Sequence, residues 1–110
     1  MSNDIAEGKN PNFKVTKTFY AQVMILTHKT TITSRFNAVI HCKNIVQNAK
    51  IILPDGVDTL RSDDKSIVGF EFSFHSELLE IGSTFFFREE SNKGIGMIIN
   101  FDAPENFKKE

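Results

Sequence analysis

The 110-residue chain contains no tryptophan, one tyrosine, one cysteine and three prolines. A lone Cys42 has no internal disulfide partner, which fits a reducing compartment. No stretch approaches the roughly 18 consecutive apolar residues of a membrane-spanning helix. The opening residues, Met1 to Gly8, are polar and carry no apolar signal segment. Membrane attachment is therefore not expected, and the cytoplasm is the expected location. Charge of either sign is not in excess either. Thirteen Lys and Arg against 14 Asp and Glu leave a formal net charge of -1, so no overall field draws the chain to nucleic acid or an anionic membrane.

Signatures of chemistry are equally scarce. Gly8-Lys9 is followed by Asn10 and lacks the glycines and Ser or Thr of a phosphate-binding loop. Gly94-Ile95-Gly96 opens a strand rather than a helix, so no helix N-terminus would meet a pyrophosphate. Neither supports a bound nucleotide. His41 and Cys42 are adjacent on an expected strand, where successive side chains point to opposite faces and cannot share a metal. Their expected roles are a solvent-side His and a buried Cys. Asp55, Asp58, Asp63 and Asp64 lie in turns, where Asp caps its own backbone, without the spacing of a calcium loop. No serine has a nucleophile-elbow context. The expectation is a protein without cofactor, metal site or catalytic group. A small hydrolase or metal-dependent enzyme built on His75 or His41 beside carboxylates is the third-ranked reading.

What the chain does have is phenylalanine, 11 residues of it, within a composition that is 40% hydrophobic and 25% charged. That balance belongs to an ordinary globular domain, and Phe fills a core without asking for a hydrogen-bond partner. Residues 1–12 mix Asn, Gly and Pro with charges and read as a flexible leader. From Phe13 the odd positions run Phe13, Val15, Lys17, Phe19, Ala21, Val23, Ile25 between mostly polar neighbours, which marks one long strand with one face in the core. Residues 27–34 read as a Thr-rich connection, and residues 36–42 and 49–53 as two shorter strands. The second is stopped by the Pro54-Asp55-Gly56 turn.

Val68, Phe70, Phe72 and Phe74 alternate with Gly69, Glu71, Ser73 and His75 in the clearest strand pattern. Residues 76–81 have room for one helical turn. Thr84 to Arg88 and the residues Ile95, Met97, Ile99 and Phe101 read as a β-hairpin. In the run Phe85-Phe86-Phe87, alternate rings belong to the core and only Phe86 faces away. Residues 102–110 read as a flexible tail. Six strands with turn signals and no helical window predict an all-β fold over residues 13–101, a single barrel or sandwich.

Several segments resemble a known family. Phe19-Tyr20-Ala21-Gln22-Val23-Met24-Ile25-Leu26 is similar to the opening strand of the C-terminal β-barrel domain of elongation factor Tu. Leu53-Pro54-Asp55-Gly56-Val57-Asp58 is similar to that domain's L-P-E-G-V-E turn. His75, Gly82, Phe85, Arg88 and Glu89 match the spacing of a third segment, followed by a last strand punctuated by Gly94 and Gly96. The resemblance implies a six-stranded antiparallel Greek-key barrel, without catalysis of its own, which packs on a GTPase domain and helps hold aminoacyl-tRNA and an exchange factor. Against the family's R-E-G-G-R-T hairpin this chain has Arg88-Glu89-Glu90-Ser91-Asn92-Lys93-Gly94, one residue shorter and with Glu90 in place of a glycine. Arg88, Glu89, Lys93 and Gly94 are the residues that carry over as contacts. The expected function is a non-enzymatic, translation-related binding module that engages a protein partner. The alternative is binding of tRNA or another RNA through Lys29, Arg35, Lys43, Arg88 and Lys93.

Overall fold

Each strongly alternating segment has one face that must leave water, and six such faces close on one another. The computed structural model describes residues 12–26, 31–33, 37–56, 59–61, 65–89, 92–105 and 107. Lys29, Arg35 and nearly all of the expected leader lie outside the described residues. The strands are β1 (Phe13–Thr16), β2 (Thr18–Ile25), β3 (Thr31–Thr33), β4 (Asn37–Cys42), β5 (Ile45–Ile52), β6 (Thr59–Arg61), β7 (Lys65–Phe72), β8 (Glu77–Glu80), β9 (Thr84–Glu89) and β10 (Asn92–Asn100). Six of them close into a barrel in the order β10-β2-β7-β5-β4-β9. Every neighbouring pair is antiparallel. β4, β5 and β7 are consecutive neighbours with β2 returning beside β7, which is Greek-key order. No helix occurs among the described residues. The expected all-β, six-stranded antiparallel barrel is the architecture found.

The barrel is filled rather than hollow. Phe19, Phe70 and Phe72 are its largest fully buried side chains, with Ile25, Ile40, Ile51, Ile98 and Val68. Phe19 stacks on Phe70 at 5.3 Å between ring centroids, and Phe85 meets both edge-on at 5.5 Å. Such offset and edge-to-face pairs add about 0.5–1.5 kcal/mol each beyond area burial.

Local departures from the simple alternation have identifiable causes. The long first strand breaks at Lys17, where the Thr16 hydroxyl turns to the backbone of Thr18, donating to its carbonyl at 2.9 Å and accepting from its N–H at 3.1 Å. β1 therefore leaves the barrel and pairs with β8, Val15 opposite Leu78. Residues 77–80 form that strand instead of a helical turn, because pairing with β1 satisfies their backbone groups. β5 begins four residues before its expected start. Its inward position 47 holds a glutamine, which interrupts the apolar pattern. Gln47 is buried, and its side-chain carbonyl accepts the N–H groups of Phe74 and His75 at 2.8 and 2.9 Å while its amide donates to Glu77 at 2.6 Å.

β10 inverts the apparent phase of its sequence. Gly94, Gly96 and Ile98 face the interior, while Ile95, Met97 and Ile99 lie on the outer surface. The reason is volume: Gly94 pairs with Phe87 and Gly96 with Phe85 across the strands, and the two rings occupy the space that side chains on β10 would need. Within the expected tail, Phe107 is buried and packs edge-on against Tyr20 at 5.0 Å. Tyr20 in turn lies over Gly69 on the outer surface. Burial raises the Tyr20 phenol above its usual pKa, and the Asp102 and Glu71 carboxylates push the same way.

Candidate functional site

The phase inversion of β10 places apolar side chains on the outside of the barrel, where the neighbouring strands supply more. Ile95 is opposite Met24 of β2 on one side and Phe86 of β9 on the other, and Phe86 is opposite His41 of β4. These four residues form one row across the outer wall. On one flank lie Gln22, Met97 and Thr84. On the other lie Lys93, Arg88 and Val39, with Leu26 tied in by its N–H donating to the Lys93 carbonyl at 2.8 Å. Phe86 is 63% exposed, Leu26 50% and Met97 40%. These side chains form a contiguous apolar band on the outer wall, rather than single scattered apolar residues.

Two depressions dent this wall. One, of about 220 Å³, is lined by Gln22, Val23, Met24, Thr84, Ile95, Gly96 and Met97. The other, of about 410 Å³, is lined by Leu26, His41, Phe86, Phe87, Arg88, Lys93 and Gly94. The apolar residues among these carry no catalytic chemistry, and among the described residues no group of three or more His, Cys, Asp or Glu side chains could hold a metal ion.

The residues nominated from the sequence are only partly brought together. Arg88 and Lys93 are cross-strand neighbours with exposed side chains at the β9–β10 end. Glu89 and Gly94, expected as contacts beside them, are buried. The Glu89 carboxylate accepts a hydrogen bond from the Asn92 side-chain amide at 2.7 Å, and Gly94 is covered by the Phe87 ring. Alternation along β9 forces this, since an outward Arg88 requires an inward Glu89. Lys43 sits in the β4–β5 turn, at the opposite end of the barrel from the β9–β10 hairpin, in a left-handed conformation with φ 57°. Its ammonium pairs with Glu80 at 3.5 Å. Lys29 and Arg35 are outside the described residues. The apolar members Met24, Ile95 and Met97 were not singled out as contacts from sequence. Their signal is apolar side chains where a half-buried strand should show polar ones, at Met24 in β2, at Leu26 just after it and at Phe86 in β9.

His41 is exposed and Cys42 buried, on opposite faces of β4 as adjacent strand residues must be. The Cys42 thiol lies 3.8 Å from the Thr84 carbonyl. Burial raises its pKa and Lys43 only partly offsets this, so it is a poor thiolate. Iodoacetamide at neutral pH should alkylate Cys42 at least roughly a hundredfold more slowly in the native protein than in urea. Equal rates, read by mass spectrometry, would show the barrel opening readily. A thiol whose pKa is raised by folding supports the fold at pH below its unfolded pKa. That support is lost as pH rises through the folded value, so this residue contributes to alkaline, not acid, destabilisation.

No family model matches the chain. It is 34% identical over 92 residues to GTP-binding protein 2 of Mus musculus and of Homo sapiens, covering 84% of this chain and 15% of each relative. It is 41% identical over 80 residues to GTP-binding protein 1 of Xenopus laevis, covering 73% of this chain and 12% of that relative. The chain thus spans a small part of the length of these relatives. Among the described residues no helix is long and apolar enough to cross a membrane. The chain is a closed six-stranded β-barrel whose sequence is similar, over most of its length, to a short portion of GTP-binding proteins 1 and 2.

Proposed function

We propose that this barrel is a non-enzymatic docking module, translation-factor-like in the manner of the C-terminal barrel of elongation factor Tu, that binds a protein through the outer wall of β2, β10, β9 and β4. The observation that carries the reading is the exposed band centred on Phe86, with Met24, Ile95, Met97 and Leu26 around it. Burying one such aromatic side chain in an interface yields about 1.5–3 kcal/mol, and central aromatic anchors dominate binding energy. The favoured partner is a GTP-binding protein or segment, because the relatives carry the matching stretch within much longer GTP-binding chains. Binding of tRNA is the second reading, and Arg88 beside Lys93 is what speaks for it.

A photo-crosslinking residue placed at position 86 in cells should give a discrete protein adduct, identified by mass spectrometry. The same residue at the exposed position 48 on β5 should not. Phe86→Glu should weaken the captured interaction by about tenfold or more. Adducts identical at the two positions would sink the reading. A tRNA titration that saturates at low salt, and weakens steeply as salt rises, would replace it with the RNA reading.

A further inference from the structure

A second apolar feature lies on the outer face of β2, β7 and β5, and the chain's own C-terminal segment covers it. Asn100, Tyr20, Gly69 and Ile52 form one row across β10, β2, β7 and β5. The Tyr20 ring lies across Gly69, where a Cβ would stand 2.6 Å from the Tyr20 Cε2 and 3.1 Å from the Ile52 Cβ. Strand pairing thus builds a socket floored by a laid-down ring. Phe107 fills it, meeting that ring edge-on at 5.0 Å and keeping only 3% exposure. None of the described residues 101–105 and 107 belongs to a strand. The Asn100 side-chain carbonyl accepts the N–H groups of Phe101 and Asp102 at 2.8 and 3.2 Å, which turns the chain away at the end of β10. The Phe107 N–H donates to the Pro104 carbonyl at 3.1 Å, closing a tight turn that carries the ring.

We infer that residues 101–107 are a releasable strap, and that the Tyr20 socket beneath it binds an aromatic side chain presented on a tight turn of a protein partner, with Phe107 as its intramolecular occupant. The occupant's chemistry is read from what is seated there, a ring at the end of the turn that starts at Pro104. The floor of the socket is set by the β2–β7 and β5–β7 registers, so it persists when the strap lifts. A segment outside the strand ladders, anchored on the barrel through a ring, opens without unfolding the barrel. Tethering gives Phe107 an effective concentration on the order of millimolar. A partner must therefore present a better-fitting aromatic turn to displace it, which makes the strap a selectivity filter as well as a cover for apolar surface. The socket goes beyond the docking reading and uses neither Phe86 nor its row.

The test uses the isotope-labelled full chain carrying Phe107→Ala, and as probe the acetylated peptide of residues 102–110, Asp-Ala-Pro-Glu-Asn-Phe-Lys-Lys-Glu, followed by amide NMR. The expected result is saturable shifts at Tyr20, Gly69 and Ile52, at affinities on the order of millimolar for one aromatic anchor. The unaltered chain should bind the peptide at least about tenfold more weakly, because its own strap competes. A peptide with alanine in place of the phenylalanine should not bind. Absent shifts at these residues, equal binding by the two chains, or binding of the alanine peptide would each overturn the socket. Hydrogen exchange of the unaltered chain decides the matter if Phe107→Ala fails to fold. The Phe107 amide should exchange at least about a hundredfold faster than that of Phe70, and equal protection would overturn the strap. A dimer of the unaltered chain that Phe107→Ala abolishes would overturn the protein partner in favour of strap exchange between two copies. None of these readouts involves position 86, so the docking reading stands or falls on its own crosslink.

Discussion

Phe70→Ala is expected to lower unfolding free energy by about 3–5 kcal/mol, the range for truncating a buried phenylalanine. Phe70 is 1% exposed and meets three other rings: Phe19 at 5.3 Å, Phe85 at 5.5 Å and Phe87 at 5.6 Å. Removing it takes a shared partner from β2 and β9 at once, and a closed barrel cannot collapse onto the void by moving one strand alone. Domains of this size hold about 5–15 kcal/mol in total, so the variant should be near the edge of stability at 37 °C. Urea denaturation should show a lower midpoint with an unchanged slope. A loss under about 1.5 kcal/mol would mean that neighbouring rings refill the space and that the aromatic cluster is fluid.

The second large effect is expected from adding a single methyl group. A Cβ on Gly94 would stand 2.2 Å from the Phe87 Cζ, with two further ring atoms at 2.5 and 2.8 Å. Both groups are in the barrel interior, and the ring is already fixed by Phe70 and Phe85. Gly94→Ala should therefore cost about 2–3 kcal/mol, the upper part of the range for overpacking. The mechanism has a specific signature. Phe87→Leu opens the space the methyl group needs, so the double variant should be more stable than the sum of the two losses by about 1–2 kcal/mol. Additive losses would show that Gly94 matters for backbone conformation instead. Gly56 provides the contrast: its φ of +79° with nothing within 4 Å makes it a backbone requirement of the turn after β5, without a packing partner.

How much of this was legible beforehand varied element by element. β7 was plain at its centre, because Val68, Phe70 and Phe72 are apolar at successive inward positions; Phe74, expected on the same face, lies beyond the strand's end and is 70% exposed, its N–H held by the Gln47 side-chain carbonyl where the chain leaves the sheet. The start of β5 was hidden by Gln47, a polar residue on the inward face that holds a loop in place. β8 was hidden because its strand partner among the described residues is the short β1 outside the barrel; Leu78 and Leu79 side by side suit a helix as well as a strand. Phe107 carries no periodic signal at all, being one aromatic residue in a polar segment. Of the candidate site, Arg88 and Lys93 could be named from the hairpin, and Phe86 could be seen to face outward. Their grouping with Met24, Ile95, Leu26 and His41 comes from four strands and depends on three registers.

Alternation is a property of the covalent chain: neighbouring side chains on an extended backbone point to opposite sides whatever the partner strand is. For that reason the sequence alone determined that this protein is all-β, that six faces need burial and that Phe builds the interior. It could not determine which side of β10 is the inside. That choice depends on whether Phe85 and Phe87 find glycines or side chains opposite them, a matching of volumes between strands set only when the barrel closes. Closure put Gly94 and Gly96 under the rings, and in doing so turned Ile95 and Met97 outward beside Phe86. The wall proposed here as the functional surface is a consequence of that packing.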